Sequence, residues 1–340
     1  MPSIPGPVAA PRPPLPRHVQ IEVTSACNLR CRMCLVRYAP AVNKAEGAIP
    51  YELFTKIVDD DPALEVVTLQ GLGEPLLHPR IVDMVGYLTA RGIRCGFSTN
   101  ATLLTPTRAA ALIDAGIGWL HVSLDGATPD VYEGVRDGGR FDVAVSNLRG
   151  LVAAKRSHGG GDPRIEVTFV AMRSNLGDLP ALVRLVAGIG GIDRIRVQNL
   201  SHTFDDTDPA GRYAEIRAFA ADEALFGGDD RERTELTFAA AARLAEALGV
   251  TLRLPTNDIA PPPQRPGCSW PFEAAYVTSR GRVQPCCMVM GDDRATLGDL
   301  RERSFAGVWS SPAYDDFRSR LLADDPPEVC RGCSMYRGVF

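Results

Sequence analysis

The chain has 340 residues, 45% of them apolar, and a formal net charge of -4 made of mixed signs, enough for one large α/β domain with a small appendage. That balance argues against a nucleic-acid backbone as partner, and the absence of any window of about eighteen uninterrupted apolar residues argues against a membrane span. Nine cysteines, an odd number gathered toward the two ends of the chain, suit a reducing cytoplasm and metal ligation better than a disulfide framework.

Met1 to Arg17 is rich in Pro and Ala and lacks both a basic start and a long apolar centre, so it reads as a disordered lead-in rather than a secretory signal. The alternating run His18 to Thr24 predicts a first strand, and the loop leaving it is Cys27-Asn28-Leu29-Arg30-Cys31-Arg32-Met33-Cys34. Three thiolates at this spacing can hold three irons of a 4Fe-4S cube and leave the fourth open to an outside ligand. Zinc and thiol redox chemistry are the alternatives, because a CxxC serves both. Strand-like and helix-like segments then alternate. Helix Pro50 to Asp60 leads to strand Glu65 to Gln70, helix Arg80 to Arg91 to strand Ile93 to Ser98, and helix Pro106 to Ala115 to strand Trp119 to Leu124. Helix Asp142 to Lys155 precedes strand Arg164 to Ala171, and helix Leu179 to Ala187 precedes strand Arg194 to Gln198. Six such units predict a parallel sheet with helices outside, closed or partly closed as a (β/α)6 TIM-type barrel, with functional groups at the strand C-terminal ends.

Side chains alternate between the outer helices and the interior of a barrel strand. Ile165, Val167 and Phe169 then face helices and Glu166 and Thr168 face in; Leu120, Val122 and Leu124 leave His121, Ser123 and Asp125 inside. Gln20, Glu22, Thr24, Thr68, Gln70, Arg196 and Gln198 also point inward. So many polar groups imply a wet, ligand-holding interior; a closed network in which they only bond one another is the alternative. Glu22, His121 and Glu166 are the candidate proton acceptors. Cys95 shares parity with Phe97 and is expected in the core.

Further along, 201–228 carries no assignable motif, Glu235 to Leu248 reads as a helix, and Thr251 to Leu254 as a short strand that closes a barrel domain over 18–254. The Pro-rich stretch 255–267 is a linker. Beyond it, Ala274 to Pro285 predicts a hairpin turning at Ser279-Arg280-Gly281, which brings Cys268 and Cys286 together. Cys330-Arg331-Gly332-Cys333 adds two thiolates, so 268–340 reads as a small hairpin and helix domain whose four cysteines complete a cube or a zinc site equally well.

The loop 27–34 resembles the cluster loop of the radical S-adenosylmethionine (SAM) enzymes. Gly71-Leu72-Gly73-Glu74-Pro75, Ser98-Thr99-Asn100 and Ser123-Leu124-Asp125-Gly126, one at the end of each successive strand, are similar to that family's SAM-contacting segments. The resemblance implies a cube on Cys27, Cys31 and Cys34. It implies SAM contacts from Met33 (often aromatic in the family), Gly73, Glu74, Pro75, Ser98, Asn100, Ser123, Asp125, Arg136, Gln198 and Leu200, with Glu74 at the methionine amino group and Arg136 at its carboxylate. Cys268 with Trp270, Gly281 to Cys287, Leu297-Gly298-Asp299, Val308-Trp309 and the final CxxC resemble the SPASM/Twitch extension. That implies one auxiliary 4Fe-4S cluster on Cys268, Cys286, Cys330 and Cys333. The spacing is similar to that of the aminocyclitol dehydrogenases of butirosin biosynthesis. The resemblance therefore implies an antibiotic-type oxidoreductase that turns a secondary alcohol of an aminocyclitol or aminosugar into a ketone, fed by a flavodoxin- or ferredoxin-type reductant. Epimerisation with Cys287 as hydrogen donor, and modification of a ribosomal peptide, are the rival chemistries.

Overall fold

Along six extended segments every second residue is apolar and buried, among them Val19 and Ile21, Val67 and Leu69, Cys95 and Phe97, Leu120 and Val122, Val167 and Phe169, Ile195 and Val197. Each large side chain so placed contributes about 1.5–3 kcal/mol relative to exposure. A computed structural model describes residues 13–41, 47–200, 211–225, 230–255, 268–289, 291, 294–323 and 325–336. Residues 1–12 of the lead-in, 256–267 of the linker, and 201–210 and 226–228 of the segment without motif lie outside them.

Strands β1 (His18–Ile21), β2 (Val66–Thr68), β3 (Arg94–Thr99), β4 (Trp119–Ser123), β5 (Arg164–Ala171) and β6 (Arg194–Asn199) pair in sequence order, all parallel. Between them run α1 (Tyr51–Asp59), α2 (Ile81–Thr89), α3 (Pro106–Asp114), α4 (Pro129–Val135), α5 (Phe141–Ser157) and α6 (Leu179–Ile189). This is the partial (β/α)6 barrel that the alternation predicts, with α4 as an additional helix. Helix α3 begins where Thr105 accepts a hydrogen bond from the Arg108 amide and Pro106 occupies the first turn, a standard N-terminal stop. After β6 come α7 (Ala214–Glu223), α8 (Arg231–Ala247) and the short parallel strand β7 (Leu252–Arg253).

The C-terminal segment does not build a sheet of its own. Helix α9 (Trp270–Glu273) leads into β8 (Ala274–Val277), which lies parallel to β1, with His18 opposite Ala274 and Ile21 opposite Val277. Strands β9 (Arg282–Gln284) and β10 (Gly298–Asp299) extend the same sheet antiparallel, giving ten strands in the order β10-β9-β8-β1-β2-β3-β4-β5-β6-β7. Helices α10 (Phe305–Trp309), α11 (Pro312–Leu322) and α12 (Glu328–Arg331) complete the fold. Arg318 on α11 donates to the carbonyls of Pro271 and Trp309, both at 2.8 Å, and so ties α11 to α9 and α10. Among the described residues no helix is long and apolar enough to cross a membrane.

Candidate active site

At the strand C-terminal ends a cavity of about 180 Å³ is lined by Cys27, Cys31 and Cys34 together with Met33, Gln70, Gly71, Leu72, Gly73, Glu74, Ser98, Thr99, Asn100, Ser123 and Arg136. The loops pack tightly there. A Cβ on Gly73 would stand 2.3 Å from the Thr24 carbonyl and 2.5 Å from that of Ala26, so only glycine allows the β2 loop to lie against the chain entering the cysteine loop. The Glu74 amide then donates to the Ala26 carbonyl at 2.9 Å. Asn100 donates from its side chain to Asn28 at 3.0 Å, which joins the β3 loop to the same cysteine loop.

Two of the expected SAM contacts are largely engaged within the protein. The Glu74 carboxylate accepts from the Leu76 amide at 3.1 Å, and from the Thr99 hydroxyl and the Asn100 amide, both at 2.8 Å. Burial pushes its pKa up, against these three donors. Arg136 is buried, pairs with Asp125 at 2.6 Å and approaches Cys31 Sγ at 3.8 Å. Burial opposes its charge, but Asp125, Cys31 and Tyr132 raise its pKa overall. Asp125 is fully buried, also accepts from the Val170 amide at 2.7 Å, and stands behind the cavity wall. Pro75 opens a 3-10 turn under the β2 loop and does not line the cavity. Leu200 packs with Val135, Met172 and Ala220 in a cluster that also meets Met33, and Gln198 lies near the end of β6 outside the lining.

A second, tight cavity of about 20 Å³ is lined by Cys268, Cys286, Cys330 and Cys333 and walled by Trp270, Pro271, Pro285, Met288, Val289, Phe317, Leu321, Val329, Met335 and Tyr336. Cys268 stands just before α9, Cys286 just after β9, and α12 supplies Cys330. Burial pushes the Cys330 thiol up to about 12. Four thiols in apolar walls suit a group whose every corner is held by protein, whereas three thiols beside polar donors suit one that keeps a corner for another molecule. Among the described residues no three His, Cys, Asp or Glu side chains are grouped to hold a single metal ion.

The four candidate catalytic residues do not gather at either cavity. His121 and Glu166 face a third one, of about 680 Å³, at the strand N-terminal ends, the opposite mouth of the barrel from the cysteine loop. Glu166 is not a free base. It is ion-paired with Arg194 and, at 2.8 Å, with Arg196. Burial lowers the His121 pKa to about 4, with Glu166 opposing and Arg196 and Arg194 reinforcing the shift, so the imidazole is neutral at pH 7. Glu22 is fully buried, accepts from the Tyr276 hydroxyl at 3.0 Å, and lines none of the three cavities described. Cys287 packs beside the second cysteine set without lining its cavity. Cys95 lies in the main core, as expected.

Helix α7 falls in the segment without an assignable motif, yet it covers the cysteine loop. Ile216 and the preceding Tyr213 pack against Leu35, Tyr38 and Leu72, and Arg32 stands 5.2 Å from the Phe219 ring. The signal was present in Ile216, Phe219 and Ala220, spaced as one helix face.

Comparison with known proteins places these cavities in context. Residues 21–186 match the family model of the radical SAM superfamily, and residues 268–334 that of the SPASM iron-sulfur cluster-binding domain. The tungsten-containing aldehyde ferredoxin oxidoreductase cofactor-modifying protein of Pyrococcus furiosus is 35% identical over 188 residues, 54% of this chain and 51% of that protein, so the match spans about half of that relative's length. An AdoMet-dependent heme synthase of Methanosarcina barkeri is 23% identical across 94% of this chain and 91% of its own. In fold, Streptococcus suis SuiB bound to precursor peptide SuiA superposes with a TM-score of 0.69 at 16% identity, over 95% of this chain and 70% of SuiB.

Proposed function

For a chain that carries a radical SAM domain followed by a SPASM domain, and so binds SAM, a 4Fe-4S cluster and auxiliary iron-sulfur, we propose a radical oxidoreductase that converts a secondary alcohol of a small polar molecule into a ketone. Cys27, Cys31 and Cys34 hold the SAM-binding cluster, and Cys268, Cys286, Cys330 and Cys333 the auxiliary one. When bound, these cofactors supply a 5'-deoxyadenosyl radical that removes a hydrogen atom from the carbinol carbon and an acceptor for one electron, so that loss of the hydroxyl proton completes the ketone.

The chain's own residues divide the remaining work. Arg136, held by Asp125, fixes the charge beside Cys31; Gly73 lets the β2 loop close on the cysteine loop; Met33, Ser98, Asn100 and Ser123 line the cavity where SAM lies. Once the electron has left, the protonated carbonyl is acidic enough to give its proton even to a weak base, and His121, neutral at pH 7 and on an inward position next to Ser123, is placed to take it. A flavodoxin- or ferredoxin-type protein of the cytoplasm is the electron source. The observation that carries this reading is the second cavity, in which four thiols from three separated segments leave no corner open to substrate. Cys287, set apart from all three cavities, gives epimerisation no hydrogen donor in them. The relatives named above modify a cofactor and make heme, which favours a second reading in which the oxidised molecule is a cofactor precursor.

The test is anaerobic turnover of the reconstituted protein with SAM, reductant and a panel of secondary alcohols. A ketone formed with one 5'-deoxyadenosine per product is the expected result. A product with an inverted carbinol centre and no net oxidation overturns it.

A further inference from the structure

The lower mouth of the barrel is rich in positive charge. Arg94, Arg164 and Arg194 line it, and Arg196 and Arg253 sit at paired positions on the adjoining strands β6 and β7. Its two carboxylates are already committed. Glu166 is paired with Arg194 and Arg196, and Asp193 bonds Lys155 at 2.9 Å and the Ile165 amide at 2.7 Å. Among the described residues, Arg94 and Arg164 make no ion pair. The charge of this mouth is therefore unbalanced on its open side, where a concave surface lowers the dielectric around an incoming anion.

The mouth is also shaped. Gly96 lies opposite Trp119 on the neighbouring strand, and a Cβ there would stand 2.5 Å from the indole Cδ2. The glycine thus gives the Trp119 ring its room, with the Arg94 guanidinium 5.9 Å from the ring. The cavity lies below the one at the cysteine loop along the same strands. Thr68 and His121 line it, while Gln70 and Ser123, the next inward residues of the same two segments, line the upper cavity. Successive inward positions of a strand are about 7 Å apart, so the two layers lie within the length of one small molecule.

We propose that the substrate enters the barrel through this lower mouth and bears an acidic group, a phosphate or carboxylate, which Arg94 and Arg164 hold at the rim beside Trp119 while the reacting carbon points up toward Ser123. This rests on the reading above that the interior holds the substrate, and it replaces an aminocyclitol, whose ammonium groups the rim repels, with an anionic molecule. Paired guanidiniums suit either acid, since both accept forked hydrogen bonds.

Binding of inorganic phosphate to the full reconstituted protein, followed by 31P line broadening at low and high salt, tests the proposal without turnover. Saturable binding that weakens with salt, drops at least tenfold in the double variant Arg94→Gln/Arg164→Gln and recovers in Arg94→Lys/Arg164→Lys is the expected result. Both side chains are exposed at strand starts, and unchanged circular dichroism and thermal midpoint establish that the variants fold. Phosphate binding that is absent, or equal in all variants, overturns the proposal, as does calorimetric binding of 2-deoxystreptamine that the arginine changes leave intact. A protein that binds phosphate at this rim yet releases no 5'-deoxyadenosine with SAM and reductant refutes the oxidoreductase reading instead, so the two failures are distinct.

Discussion

The two cysteine sets are built in opposite ways. Cys27, Cys31 and Cys34 come from one eight-residue loop and face a cavity that polar groups of three neighbouring loops share. Cys268, Cys286, Cys330 and Cys333 come from three segments far apart in the chain and meet inside apolar walls. A local loop fixes three ligands and leaves one side of its cavity to other groups. Ligands gathered from distant segments converge only once the fold is complete, and they leave no side free. On the function proposed above, the difference separates a place where a molecule is activated from a place where an electron is stored.

Replacing Cys31 by Ala gives the sharpest contrast. It should abolish 5'-deoxyadenosine release and remove about half of the roughly eight irons expected of two cubes, measured by chromatography and iron assay after anaerobic reconstitution. Cys330→Ala should lower iron by a similar amount yet leave 5'-deoxyadenosine forming without ketone; if release stops as completely as in Cys31→Ala, the division of labour between the two sets fails. Next in size, Asp125→Ala strands the Arg136 charge in the protein interior. Removing one partner of a buried pair costs about 3–5 kcal/mol, to be read from denaturant unfolding. Gly73→Ala forces the β2 loop away from the Thr24 and Ala26 carbonyls. Overpacking of this kind costs about 1–3 kcal/mol, and SAM affinity measured by equilibrium dialysis should fall with it.

The last prediction concerns the far mouth of the barrel. The His121 pKa is lowered from 6.5 to about 4 in the folded protein, so between those values the unfolded chain binds the proton that the folded one refuses. Stability should therefore fall as pH drops from about 6.5 toward 4. His121→Gln should flatten part of that slope in unfolding curves, and His18 and His78, shifted the same way by burial, account for part of the remainder.

Much of this was legible in the sequence because period and punctuation carry it. Alternation in Ile165 to Phe169 and its counterparts gave the strands, and the motifs at the strand ends gave the wall of the upper cavity, down to Gly73, Ser98, Asn100 and Ser123. Parity, however, tells inside from outside and says nothing of height along the barrel axis. For that reason parity places His121 and Glu166 within the barrel without showing that they lie at its lower mouth. Spacing is equally silent on prior commitments, since the partners of Glu74, Glu22 and Arg136 come from other segments. Helix α7 escaped notice because its apolar face is short and lies next to a long polar run.

The pairing of β8 with β1 has a consequence for biosynthesis. The first strand leaves the ribosome with one edge bare, and the strand that covers it is made only after some 250 further residues. Until then the nascent barrel presents open hydrogen-bonding groups to any neighbouring chain, a hazard for aggregation. Translation that stalls before residue 274 should consequently yield a sticky product rather than a smaller working one, and truncated chains should depend on chaperones more than the full-length protein does.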